Sequence, residues 1–254
     1  MLWNSPLKPN RREIIRSATA AAGLIALEGT GSASGAPLFS HGVASGDPLQ
    51  DRVILWTRLL DPNDLTKTIR GEWQVATDDT FVAIVQSGQF TANPAKDHTV
   101  KVDAIGLEAG QAYYYRFVAD HSISPIGKTK TLPKQTSSLD LAVLSCANYS
   151  HGYFNVYKEV AKRPFQAVLH LGDYIYEYAV GKYENPDAVK QGRIAKPKTE
   201  VISLEDYRTR YALYRSDPDL LAAHAAHPFI CVWDDHEVAN DSWKQGAENH
   251  TEDE

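Results

Sequence analysis

Three apolar runs in this chain each end in side chains able to hold a metal ion. Residues 141–144 lead to Ser145, Cys146, Ala147 and Asn148. Residues 165–171 lead to Gly172, Asp173, Tyr174, Ile175, Tyr176 and Glu177. Residues 228–233 lead to Asp234, Asp235, His236 and Glu237, with Asn240 and Asp241 close behind. Carboxylates gathered in one place repel one another and suffer raised pKa values unless cations neutralise them. The donor types narrow the choice. A thiolate (Cys146) and a phenolate (Tyr176) are anionic donors that suit trivalent iron, Fe3+, whereas carboxylate and amide oxygens suit a harder divalent ion such as Ca2+. Taken singly, Cys146 reads as a small buried hydrophobe, Tyr176 as a ring packed beneath a loop, and one of Asp234 and Asp235 as a turn cap. Taken together at three strand ends, they read as ligands. His170 lies inside an apolar run and reads as a core histidine. His224 and His227 fall near a helix end and are ordinary, and no role is assigned to His41.

The elements needed to bring these groups together follow from the pattern. The three continuous apolar runs, with helical spacing at Phe154, Tyr157, Val160 and Ala161 between the first two, imply a buried parallel sheet with right-handed crossovers. Parallel strands place all their carboxyl ends on one edge, where α/β sheets bind ligands. Ser203 and Asp206 form a capping-box pattern that opens one helix, and Asp217-Pro218 opens another. The charged stretch 182–199 is too polar for a core and reads as a surface loop. Earlier in the chain, between residues 38 and 132, short β-branched or aromatic runs recur every 8–12 residues or so, the signature of a β-sandwich. Residues 107–113 have the form of a tyrosine corner. No Cys–Trp–Cys framework is present, so a fibronectin-like sandwich is favoured over an antibody-like one. Residues 133–138 read as the linker.

Composition bounds the rest. The chain has 254 residues, is 43% hydrophobic and carries a formal net charge of −6. That excludes a wholly disordered chain and gives no sign of a nucleic-acid surface; no apolar run is long enough to span a membrane. Residues 1–36 read as a leader: Lys8, Arg11, Arg12 and Arg16, then an alanine-rich apolar run, then small residues. The paired Arg11-Arg12 resembles a twin-arginine signal, which predicts the twin-arginine export machinery as a partner and an exported location, at the periplasm, cell surface or outside the cell. Two cysteines in an exported protein could pair, but both sit at or within buried strand runs, which favours free thiols.

These motifs resemble a known family. Ser145-Cys146, the segment Leu171 to Glu177, the helix Tyr207 to Tyr214, Trp233-Asp234-Asp235-His236-Glu237-Val238, and His41-Gly42-Val43-Ala44-Ser45-Gly46-Asp47-Pro48 look like the PhoD family of secreted alkaline phosphatases and phosphodiesterases. The resemblance implies an α+β two-domain chain: a leader (1–36), a fibronectin/Ig-like β-sandwich (37–134), then a truncated α/β metallophosphoesterase domain of the calcineurin-like kind (138–254). It also implies that Cys146, Asp173 and Tyr176 bind Fe3+, with Asp173 bridging to Ca2+. One or both of Asp234 and Asp235 would bind metal, Asn240 or Asp241 would add a calcium ligand, and His236 would stand beside the phosphate as stabiliser or proton donor. The substrate is then a small or polymeric phosphate mono- or diester, attacked in line at phosphorus by a metal-bound water.

Two further expectations concern length. Relatives of this type take more ligands from beyond the Asp-His-Glu motif, so the chain reads as the N-terminal portion of a longer enzyme. As 254 residues it is expected to bind metal weakly and hydrolyse little, with three parallel strands exposing an apolar edge and face. A nucleotidase or purple-acid-type phosphatase is disfavoured by Cys146. The reading from another class is an exported β-sandwich binding module with a degenerate hydrolase half.

Overall fold

β1 (Val43–Gly46) and β2 (Arg52–Arg58) bury every second side chain, as a strand with one face on a core must. The computed structural model describes residues 38–249, so the leader of residues 1–36 lies outside the described residues. β3 (Ile69–Ala76), β4 (Ile84–Ala92), β6 (Ala112–Ala119), β7 (Ser122–Ile123) and β8 (Gly127–Lys130) make one antiparallel sheet, in which β6 also pairs with β8. Phe81 takes a left-handed turn (φ 58°), and β4 starts after it, at Ile84. Val53, Leu55 and Val100 of one sheet meet Ile69, Val75, Tyr115 and Phe117 of the other in a single core. The tyrosine corner forms as a hydrogen bond from the N–H of Glu108 to the Tyr113 hydroxyl, 2.9 Å.

The second sheet has six strands in the order β5 (Thr99–Ile105), β2, β1, β11 (Pro228–Cys231), β10 (Ala167–His170), β9 (Leu141–Leu144). Its β9-β10-β11 part is parallel, as the apolar runs imply. β1 pairs with β2 antiparallel and with β11 parallel, so the two regions of the chain share one continuous sheet. The exposed apolar edge expected of the three parallel strands is therefore found on one side only. The β11 side is closed by β1, and β9 is the edge, with Val143 exposed. Gly46 permits the junction, since a Cβ there would lie 2.7 Å from the Phe229 carbonyl oxygen.

The α-helices among the described residues are α1 (Asn155–Lys162), α2 (Pro186–Lys190), α3 (Leu204–Tyr214) and α4 (Pro218–Ala226), and a short 3-10 turn covers Asp235–Glu237. Tyr157 and Val160 of α1 and Leu220 and Ala223 of α4 pack on Val168 and Phe229 of the parallel strands. The capping box on α3 is present in both directions: the Asp206 N–H donates to Ser203 Oγ (3.2 Å) and the Ser203 N–H to Asp206 Oδ2 (2.9 Å). Asp217 caps α4 by accepting from the N–H groups of Asp219 and Leu220.

The stretch 182–199 is more than a surface loop. It contains α2, and it buries Ala188, Ala195 and Arg193. Polarity did not keep Arg193 outside because its charge is met: Nη1 donates to Asp217 Oδ2 at 2.6 Å, and the guanidinium lies 3.5 Å from the Tyr149 ring centre.

Three histidines are buried in neutral form. His170 is fully buried with Nε2 on the Tyr157 hydroxyl (2.9 Å), and burial pulls its pKa down to about 4. Burial, then the charges of Arg58 and Arg215, pull His41 down to about 4 as well, and burial holds His224 well below its usual value. A folded pKa below the unfolded one means that the unfolded chain takes up protons first as pH falls. Stability is therefore full above about 6.5 and is lost towards about 4, by a few kcal/mol in total. The urea midpoint should fall clearly from pH 7.5 to 5.5, before most carboxylates titrate; an unchanged midpoint would contradict neutral burial.

Candidate metal centre at the carboxyl edge of the parallel strands

The three strand ends are laced together by the backbone. The Leu171 N–H donates to the Leu144 carbonyl (2.8 Å) and the Val232 N–H to the His170 carbonyl (3.0 Å). The N–H groups of Cys146 and Ala147 donate to the carbonyls of Gly172 (3.2 Å) and Asp173 (2.8 Å). Cys146 and Asp173 both lie in the left-handed region, at φ 58° and 54°. Each costs roughly 1–2 kcal/mol in a non-glycine residue, and the lacing holds them there. Gly172 has φ 100°, and a Cβ on it would lie 2.4 Å from the Asp234 Cβ. The Gly-Asp turn and the Asp-Asp-His turn therefore touch.

Two buried carboxylates organise the turns. Glu237 accepts from the N–H groups of Asp173 (3.0 Å), Tyr174 (2.5 Å) and Asp234 (2.8 Å), which ties both turns to one side chain. Glu177 is fully buried and accepts from His236 Nδ1 (2.9 Å), the Asn240 N–H (2.8 Å) and Asn249 Nδ2 (3.0 Å). Burial works against both charges of the His236–Glu177 pair. The contact outweighs it, so His236 is raised and Glu177 lowered from their ordinary values.

Asp173, Asp235 and His236 each present one ligand atom, all within 4.8 Å of one another. Asp173 Oδ1 is buried with no hydrogen-bonding partner among the described residues, while Oδ2 accepts from the Tyr176 hydroxyl at 3.1 Å. A buried carboxylate with one unpartnered oxygen, close to a second carboxylate and an imidazole, fits a cation. Asp235 is held by the N–H groups of His236 (3.0 Å) and Asp241 (2.6 Å). Burial would raise its pKa, but these N–H groups and the nearby His236 draw it below the usual carboxylate range. Burial pushes the Tyr176 phenol up, and the Asp173 carboxylate and Cys146 beside it push it further; its ring lies 4.2 Å from that of His236.

Each candidate ligand therefore has a place. Asp173, Asp235, His236 and Tyr176 meet. Cys146 stands beside Tyr176, and both line one cavity of about 370 Å³, but the thiol lies outside the trio of Asp173, Asp235 and His236. Asp234 and Asn240 also stand apart. Asp234 packs its Cβ on Gly172 and leaves its side chain exposed, and the Asn240 amide donates to Glu248. His236 sits among the donor atoms rather than only beside them. Glu177 and Glu237 have no separate role in the sequence reading; their signal was that both acids lie inside the motifs. Cys146 and Cys231 are not bonded to each other.

Fold and site define a mixed α/β chain with a candidate metal centre at the carboxyl edge of its parallel strands. The chain belongs to the PhoD-like phosphatase family. The family profile matches residues 141–254, and that of the PhoD-like phosphatase N-terminal domain matches residues 25–133. Alkaline phosphatase D of Bacillus subtilis (strain 168) is 47% identical over 212 residues, 80% of this chain and 36% of that protein. A solved structure of PhoD superposes with a TM-score of 0.74 at 46% identity, over 82% of this chain and 41% of that one. This chain thus spans well under half the length of these relatives.

Proposed function

We propose that the chain carries part of the active centre of a metal-dependent hydrolase of phosphate mono- and diesters. The buried Asp173 carboxylate, with its orphaned Oδ1 and with Asp235 and His236 within reach, carries this reading, with the 47% identity to alkaline phosphatase D in support. Cys146, Asp173 and Tyr176 would hold Fe3+, and Asp173 with Asp235 would hold Ca2+. When bound, the ions supply a nucleophilic water of lowered pKa and neutralise charge on the phosphoryl oxygens. The chain's own groups do the rest. Glu237 fixes the backbone that aims Asp173. Glu177 holds His236 by Nδ1 and leaves Nε2 free to donate to the phosphate or its leaving group. The proposed protein donors, Cys146, Asp173, Tyr176 and Asp235, leave much of the coordination shells to solvent, so slow turnover of the 254 residues is part of the proposal.

The division into a fibronectin-like sandwich (37–134) and a metallophosphoesterase portion (138–254) belongs to the same reading, supported by where the two profiles meet. So does export by the twin-arginine route, which rests on the leader motif. Among the described residues no helix is long and apolar enough to cross a membrane.

Iron spectroscopy tests the assignment without needing turnover. The chain loaded with Fe3+ should absorb visible light through phenolate and thiolate donation. Tyr176→Phe should remove most of that band and Cys146→Ser should shift and weaken it. A colourless Fe3+ complex, or a band indifferent to both changes, would count against iron at this place. Slow hydrolysis of an aryl phosphate in Fe3+ and Ca2+ is the accompanying expectation.

A further inference from the structure

We infer that a second cavity, between β2, α3 and the exit of β11, binds an organic anion with an aromatic body and a carboxylate or phosphate head. The cavity measures about 550 Å³, within the range of small-molecule sites. Trp56, Tyr207, Tyr211 and Trp233 wall it.

Its charges do not cancel. Arg58, Lys96, Arg208 and Arg215 line it against only Asp97 and Glu237. Both acids are already engaged: Asp97 Oδ1 accepts from Arg58 at 2.6 Å, and Glu237 is taken by three backbone N–H groups. Lys96, Arg208 and Arg215 have no acid partner among the described residues, and of these Arg215 is the buried one. It is 6% exposed, and its guanidinium lies 4.8 Å from the centre of the Trp56 ring. Nη2 donates to the carbonyls of His41 (3.1 Å) and Val43 (3.4 Å), whereas Nε and Nη1 have no partner among the described residues. Buried guanidinium N–H groups are nearly always paired, and an anion is the partner that also offsets the charge. The aromatic walls then select the body: a bare inorganic anion would leave them wet.

This site is separate from the metal donors, so its test uses chelator-treated protein. Calorimetry with 1-naphthoate, 1-naphthyl phosphate, 1-naphthamide and inorganic phosphate separates body from head. The two naphthyl anions should bind at least about tenfold more tightly than the neutral amide and than inorganic phosphate. Arg215→Gln, checked for native far-UV circular dichroism and melting, should abolish the preference for the charged head. Should that variant not fold, Arg208→Gln at the rim should lower both anion affinities while leaving the amide unchanged. Equal binding of naphthoate and naphthamide, no binding of either, or a folded Arg215→Gln that keeps the preference would overturn the inference. None of these results bears on the metal centre.

Discussion

Asp173→Asn is expected to lower affinity for Ca2+ and Fe3+ by at least about a hundredfold while leaving the metal-free chain folded. Loss of a supporting group around a metal typically costs 10–100-fold, and Asp173 is the proposed ligand itself. Asparagine is the informative replacement for three reasons. It keeps a carbonyl oxygen for the Tyr176 hydroxyl now donated to Oδ2. It tolerates the left-handed backbone of this position (φ 54°) better than alanine would. It removes the charge and puts an uncharged NH2 in the place of Oδ1, which relieves the cost of a buried, unpaired carboxylate. The melting temperature without metal should therefore move by no more than a few degrees, and metal should no longer raise it. An unchanged calorimetric affinity would mean that Asp173 is not a ligand.

Gly172→Ala should be among the most damaging single changes in the molecule. The new Cβ would stand 2.4 Å from the Asp234 Cβ and 2.5 Å from the Asp234 backbone nitrogen, at a φ of 100°. Neither obstacle is the free end of a flexible side chain, so the two turns must separate, which breaks the Glu237 clamp on Asp173, Tyr174 and Asp234. A loss of more than about 3 kcal/mol is expected, from collision, backbone strain and the broken hydrogen bonds together. Gly181→Ala is the control. Its φ is also positive (85°), yet nothing lies within 4 Å of a Cβ there, so it should cost only about 1–2 kcal/mol for strain. Denaturant unfolding of the two variants checks the ordering; equal costs would show that contact between the turns is not what Gly172 permits.

Local pattern made much of this legible in the sequence. The alternation in β2 and β6, the continuous runs of β9 to β11 and the caps at Ser203 and Asp217 depend on neighbours a few residues away, where periodicity and side-chain chemistry act. The pairing of β1 with β11 joins residues some 180 positions apart in the chain, and nothing in either run specifies the other as partner. Arg193 was missed because its polarity pointed outward, while its partner Asp217 belongs to another element. Within the candidate site, residue types marked turns that the fold does bring together, but not the division of labour. Whether an acid in Asp-His-Glu faces an ion or clamps a backbone depends on which N–H groups the fold brings to it. Glu237 clamps, Asp173 is left with a bare oxygen, and Asn240 turns to Glu248.

The most direct test of the metal centre is anomalous scattering from crystals of the chain grown with Fe3+ and Ca2+, recorded on both sides of the iron edge. The expected result is an iron peak touching Cys146 Sγ, Asp173 and the Tyr176 hydroxyl oxygen, with weaker calcium density on the far side of Asp173 towards Asp235. Iron bound elsewhere on the chain, with Asp173 Oδ1 still facing no cation, would contradict it.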